Sequence, residues 1–447
     1  MLSEKLKNLV AARSFWQAGS EKYLLPDRNL ARADYLEKLD QLRNVNIITS
    51  IMGQRRCGKS VIGRQYMGKL WQEGMPRRNI LYLNFFLKPL SEATSETVFL
   101  SLIDWWINCC VDREHASLLF LDEVQELENW DANVASVFED PTLPCRIIIT
   151  GSNSKMLTAD FAGRLGGRIT TLQVFPFSFE EFCRFENTER TTDSIHRYLS
   201  QGGMPEVLKV QEEEQRSRLI SDIVNSTVKH DIISRYNPSN PDLLFSLIDY
   251  CRGNFSQELS IDSITKSVVP TVRSKKGDQS TGATTSTLVS TYINYLQDVY
   301  FLHAPPTYSH RSKDMLKRGI DKIYLSDLCM ADYPAQTQQG RLLENMIFLA
   351  LLKQGFYIQR YLGYRNRNLE LDFFVNKNSE SALIQVCWLL GDSEENAKLW
   401  EREFGNLHYT RRDIPKYVVS LDESAVSPYR DVTHINVIDF LTWLYAS

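Results

Sequence analysis

The chain has 447 residues, of which 43% are hydrophobic and 24% charged, and its formal net charge is -4. That length exceeds one ordinary core, so two or three domains are expected, with the composition of a soluble globular protein. The near-balanced charge excludes a global basic footprint for nucleic acid, and no apolar run approaches the roughly 20 residues that span a bilayer.

The opening MLSEKLKNLV carries Glu4 and Lys5 within an amphipathic pattern and lacks the apolar core of a signal peptide. Eight cysteines are scattered, two of them adjacent at Cys109 and Cys110, with no CxxC spacing. Such usage argues against a zinc site or a disulfide framework and fits a reducing, cytoplasmic setting.

In chain order, helical text precedes an apolar strand at 45–52. A Gly-rich turn follows, and then a helix with Ile62, Tyr66 and Leu70 on one face. Further strands are predicted at 79–86, 117–124, 145–152 and 168–177, separated by helical stretches. That alternation predicts an α/β fold whose parallel sheet is covered on both faces. The text is helical over 179–235. A small helical module over 236–330 is interrupted by VRSKKGDQSTGATTS at 272–286, read as a mobile loop. A helix containing Glu344, then strands at 356–361, 369–375, 382–388 and 417–421, suggest a separate α/β domain over 331–447. The first domain is accordingly placed at 1–178.

GQRRCGKS at 53–60 fits G-x-x-x-x-G-K-[ST], lying between a predicted strand and a predicted helix. In that setting the backbone of Gly53, Gln54, Arg55, Arg56, Cys57, Gly58, Lys59, Ser60 and Val61 would wrap phosphates at the positive end of the helix. Lys59 would reach the β- and γ-phosphates of ATP, and Ser60 would ligate Mg²⁺. LLFLDEVQ at 118–125 is an apolar strand ending in two acids. Asp122 would hold the metal through water and Glu123 would act as general base. At the end of the next strand, Asn153 or Ser152 could touch the γ-phosphate or the attacking water.

These motifs, with ITGSNS, VFPFSFEEF, YLSQGGMPE (198–206), KIYLSDL (322–328), GRLLEN (340–345) and LELDFF (369–374), run through nearly the whole chain. In order and spacing they resemble AAA-type ATPases of bacteria and archaea that carry a C-terminal DUF4143 domain. The resemblance implies an AAA-like P-loop NTPase core, a helical lid, a winged-helix-like middle and a restriction-endonuclease-like C-terminal domain. It also implies a ring-forming homo-oligomer whose sites are completed by a neighbour's arginine. Arg164 and Arg168 of AGRLGGRI are the candidates, with Arg168 favoured because it abuts the fifth strand.

A nuclease of that fold needs an Asp and a Glu on adjacent strands, a Lys two residues on, and often a helix Glu. Glu344 and Asp372 fit, but Gln385 and Cys387 stand where the Glu and Lys should be. A neutral amide is a poorer Mg²⁺ ligand and a thiol supplies no fixed positive charge, so efficient cleavage is not expected. Arg360, Arg365 and Arg367 interleave with Tyr361 and Tyr364, a pattern suited to gripping phosphates and stacking on bases. Arg273, Lys275 and Lys276, and Arg311, Lys313, Lys317 and Arg318, could add basic surface. The sequence therefore predicts an ATP-hydrolysing motor or remodeller acting on DNA. A nucleotide-dependent switch working through protein partners, and an ATP-controlled nuclease, remain the alternatives. No membrane partner is expected.

Overall fold

The computed structural model describes residues 2–17, 19–20, 30–143, 145–153, 163, 165–276, 282–309, 322–332, 338–362, 370–410 and 413–446. They form two compact units. One comprises Met1–Phe175 with Asp298–Tyr300, the other Pro176–Gln297 with Phe301–Ser447. The three later segments expected from sequence fall within the second unit except for Asp298–Tyr300.

In the first unit, strands β1 (Ile48–Gly53), β2 (Ile80–Asn84), β3 (Leu118–Asp122), β4 (Arg146–Gly151) and β5 (Ile169–Val174) make a sheet of order β2-β3-β4-β1-β5. Every pairing in it is parallel. Alternate residues of each strand point to opposite faces. Ile48, Leu81, Leu83, Leu119, Leu121, Ile147 and Ile149 therefore enter one core cluster, while Ile51, Tyr82, Phe120 and Ile148 enter the other. Helices α1 (Glu4–Arg13), α2 (Ala33–Gln41), α3 (Lys59–Gln72), α4 (Glu96–Cys109) and α5 (Trp130–Glu139) cover it. Leu6 and Val10 of α1 and Phe99 and Trp106 of α4 pack on the first cluster. Tyr35 and Leu39 of α2 and Ile62 and Tyr66 of α3 pack on the second. Burying residues on both faces explains why these strands read as near-continuous apolar runs. Tyr300, far along the chain, packs against the first cluster.

The second unit opens with α6 (Phe179–Glu186), whose start is fixed by a capping box between Ser178 and Glu181. Helix α7 (Thr192–Gln201) begins with the same device at Thr191 and Ser194. Further on, α8 (Pro241–Gly253), α9 (Ile261–Lys276) and α10 (Gly282–Asp298) follow. The loop expected at 272–286 is corrected here. Both of its flanks are helical, up to Lys276 and again from Gly282, and 277–281 lie outside the described residues. Side chains such as Arg273 and Lys275 have good helix propensity, which the Ser/Thr-rich composition of the segment obscured.

After α10 come β6 (Leu302–His303), β7 (Thr307–Ser309) and β8 (Tyr324–Leu325), then α11 (Gln339–Lys353). The final strands are β9 (Tyr357–Leu362), β10 (Glu370–Lys377), β11 (Glu380–Val386), β12 (Lys416–Ser420) and β13 (Thr433–Asn436). They form a mixed sheet of order β13-β12-β11-β10-β9-β7, antiparallel at β9-β10-β11 and parallel elsewhere. Strands β6 and β8 pair separately.

Candidate nucleotide site

The turn between β1 and α3 is shaped by its glycines. At Gly53 a Cβ would lie 2.2 Å from the carbonyl oxygen of Val174, so only glycine lets β1 and β5 approach there. Gly58 has φ 107°, a conformation costly for other residues, immediately before the first turn of α3. Arg56 also has a positive φ, 65°, in this turn. Free N–H groups at the start of α3, together with its dipole, favour an anion there.

Lys59 is buried, and its Nζ donates to the carbonyl oxygens of Gly53 and Gln54, each at 3.0 Å. The ammonium is thereby held over the loop. Arg55 lies with its guanidinium 5.6 Å from the exposed ring of Phe86. Cys57 is fully buried, donates its thiol to the Val174 carbonyl, and is pushed up in pKa by burial, so it is a packing residue here. Val61 continues α3.

Asp122 ends β3, fully buried, and its carboxylate collects four donors. Oδ1 accepts from Ser60 Oγ at 2.9 Å and from Thr150 Oγ1 at 2.6 Å. Oδ2 accepts from the Tyr82 hydroxyl at 2.7 Å and from Asn84 Nδ2 at 2.9 Å. The strand order makes this possible, because β3 lies between β2, which brings Tyr82 and Asn84, and β4, which brings Thr150. Burial, then the adjacent Asp122 charge, hold the Tyr82 pKa well above the ordinary tyrosine value, so it stays a donor.

Glu123 follows with φ 56°. Its N–H donates to Thr150 Oγ1 at 2.9 Å, and its Oε2 accepts from Gln125 Nε2 at 2.6 Å. A non-glycine residue in this region is uncommon, and such strain concentrates at working sites. Ser152 and Asn153 follow β4 and are buried. Tyr82, Asn84, Thr150 and Gln125 were missed from sequence. The signal available was their place at or next to the ends of strands β2, β3 and β4.

Arg168 leads into β5 and pairs with Glu139 of its own chain. Its guanidinium sits 5.1 Å from the Phe138 ring, and Nε donates to Leu165 O at 3.2 Å. Arg164 lies outside the described residues.

The sheet order, the glycine turn and the carboxylate at the end of β3 are the anatomy of a P-loop NTPase. Residues 45–183 match a family model described as an AAA domain. Residues 192–339 match a domain of unknown function, DUF8612, a different family from the DUF4143 of the sequence resemblance. An uncharacterized protein of Haemophilus influenzae is 26% identical over 422 residues, 93% of this chain and 98% of its own length. Another from Methanocaldococcus jannaschii is 25% identical over 416 residues, 89% of this chain and 88% of its own. Among solved structures, a Walker-type ATPase of Pyrococcus abyssi is 17% identical with a TM-score of 0.43, covering 68% of this chain and 96% of that one. AMPPCP-bound DnaA from Aquifex aeolicus is 16% identical with a TM-score of 0.34, covering 61% and 99%.

In the second unit, Glu344 on α11, Asp372 on β10, Gln385 on β11 and Cys387 just beyond it line one cavity of about 740 Å³. Lys322, which was not assigned a role from sequence, lines it too. Burial pushes Glu344 up to about 8, and pushes the Cys387 thiol up to about 12. Burial opposes the charge on Lys322, but Asp372 and Glu344 more than offset it and hold the ammonium charged.

Arg360 and Tyr361 do not form the nucleic-acid surface expected of them. Tyr361 is a core residue, its ring 5.7 Å from that of Tyr308. Arg360 is 5% exposed, pairs with Glu258, and donates from Nε to Glu370 Oε1 at 2.9 Å. The cause is strand period: both lie inside β9, where neighbours on one strand face opposite sides of a sheet that is packed on each. Tyr364, Arg365, Arg367 and the 311–318 stretch lie outside the described residues, as do the side chains of 273–276.

Proposed function

We propose that this chain binds and hydrolyses ATP at the junction of β1, α3 and β3. The observation that carries the reading is the Asp122 carboxylate, shared between Ser60 in the first turn of α3 and Thr150 of β4, with Glu123 beside it. The loop N–H groups from Gln54 to Ser60 would hold the β-phosphate. Lys59 would exchange its two carbonyl partners for phosphate oxygens. The hydroxyl and carboxylate of Ser60 and Asp122 fit Mg²⁺, a hard cation that prefers oxygen ligands, and when bound it would neutralise charge on the β- and γ-phosphates. Glu123 would take the proton from the attacking water. Gln125, bonded to Glu123 Oε2, would fix which way that carboxylate faces.

The proposed work of this ATPase is DNA remodelling by a homo-oligomeric ring, with Arg168 or Arg164 entering a neighbour's site. The AAA domain match over residues 45–183 supports the ATPase part of this reading. A nucleotide-dependent switch acting through protein partners is the second reading. The burial of Arg360 and Tyr361 favours it by removing two residues from the DNA-facing set. ATP turnover measured with and without single-stranded, duplex and branched DNA separates them. Stimulation by DNA supports the remodeller, and turnover indifferent to all three supports the switch. No turnover in any condition would overturn the ATPase reading itself.

A further inference from the structure

The nuclease resemblance read from the sequence of residues 331–447 implies Mg²⁺ between Glu344 and Asp372, and the residues present do not fit it. Lys322 stands there. Its Nζ lies 2.6 Å from Glu344 Oε1 and 3.1 Å from Asp372 Oδ1, with all three side chains almost wholly buried. Lys322 is placed by a bridge to Glu258 and by the start of β8, which pins the backbone behind it.

Three of the four carboxylate oxygens are already engaged. Glu344 Oε1 also accepts from the Tyr324 hydroxyl at 2.7 Å. Asp372 Oδ2 accepts from the Val386 N–H at 3.0 Å. The Gln385 carbonyl, which could have served as a neutral ligand, accepts from the Asp372 N–H at 3.2 Å. A divalent cation needs about six oxygen ligands and would have to share its place with a like charge. Among the described residues no group of three or more His, Cys, Asp or Glu could hold a metal ion.

We infer that the Lys322 ammonium is the permanent counter-ion of Glu344 and Asp372, so this cavity works without a metal. The amine lies between the two buried acid groups and is within ion-pair distance of both. Arg341, Arg402, Trp388 and Leu389 also line the cavity, Arg402 in an ion pair with Glu403. This inference goes beyond the ATPase reading and is independent of it, because none of these residues lies in the first unit.

The test titrates Mn²⁺ into the full, nucleotide-free chain, following free Mn²⁺ by electron paramagnetic resonance and stability by thermal unfolding. The wild type should bind no Mn²⁺ through Asp372, and its Tm should not rise with the ion. Lys322→Ala takes the cation away from a buried acid pair and leaves their oxygens short of a partner, so its Tm should fall by about 5–15 °C. Adding Glu344→Gln to that variant should recover part of the loss. A wild-type Mn²⁺ site that disappears in Asp372→Asn but persists in Asp122→Asn would overturn the inference. So would a Lys322→Ala chain as stable as wild type. Should Lys322→Ala fail to fold, the comparison of wild type with Asp372→Asn still decides.

Discussion

The Tyr82 hydroxyl and Asp122 Oδ2 are 2.7 Å apart, a charge-assisted hydrogen bond between neighbouring strands. It fixes the rotamer of the carboxylate from the side opposite Ser60 and Thr150. Tyr82→Phe keeps the ring between Phe15 and Phe120 but removes the donor. Turnover should fall about tenfold, the worth of one hydrogen bond to a charged group. The half-saturating Mg²⁺ concentration should rise with it. Assays over a Mg²⁺ series check this, and unchanged kinetics would mean that Tyr82 is only a packing residue.

Lys59→Ala and Glu123→Gln should fail in different ways. The first removes a phosphate contact and should weaken ATP binding. The second keeps the shape of the side chain but loses the base, so ATP should bind and persist while turnover falls about a hundredfold or more. Equilibrium binding of a fluorescent ATP analogue, beside phosphate release, distinguishes them. Wild-type turnover in Glu123→Gln would remove it as the base.

Arg168 and Glu139 form a half-exposed pair, which is worth little to stability. Arg168→Ala should therefore shift the unfolding free energy by less than about 1 kcal/mol. If it serves a neighbour's site, turnover should nevertheless collapse. Mixing Arg168→Ala with Lys59→Ala chains should then restore a fraction of activity. A monomeric enzyme with full turnover would exclude the shared site.

Gly63 of α3 is pressed against β3, and a Cβ there would lie 2.1 Å from Phe120 Cζ. The Phe120 ring is fully buried and stacked on Tyr82, so Gly63→Ala should destabilise the first unit by about 1–3 kcal/mol despite alanine's better helix propensity. Urea unfolding measures the difference, and a more stable variant would show that helix and sheet can separate freely.

His303 is partly buried, and that burial lowers its pKa to about 4. The unfolded chain takes up this proton near its ordinary value of 6.5, but the folded one does not until about pH 4. The folded state therefore binds fewer protons in that window. Its stability is fully present above pH 6.5 and is lost as pH falls toward 4, by about 3 kcal/mol. Asp327, raised by burial to about 6, has the opposite slope over much of this range. The comparison must therefore be between wild type and His303→Gln. The variant's urea midpoint should fall less steeply between pH 6.5 and 4, and parallel curves would assign the titration elsewhere.

The strands of the first unit were legible because each is apolar on both faces and is followed by a helical period. Gly53, Lys59, Ser60, Asp122 and Glu123 were legible because they lie within two short local patterns. Tyr82, Thr150 and Gln125 were not, since each gains meaning only when strand order sets β2, β3 and β4 side by side. Lys322 shows the same limit across a longer span. Its two carboxylate partners are distant in sequence, so spacing pointed to position 387 for a cation that the fold supplies from 322. Arg360 and Tyr361 misled in the other direction. An Arg-Tyr alternation reads as an exposed patch, yet β9 is an interior strand with Glu370 and Glu258 waiting for the guanidinium.

Tyr300 completes a core whose other members nearly all precede Phe175. The consequence is for dissection. A truncated protein ending after β5 would contain every strand of the parallel sheet and both nucleotide motifs. It would still leave raw the patch that Tyr300 caps. Such a fragment should express poorly or aggregate, while the intact polypeptide nicked by a protease near residue 175 should hold together. The nucleotide module is thus not a detachable cassette, because the chain returns to finish it after building most of the helices that follow.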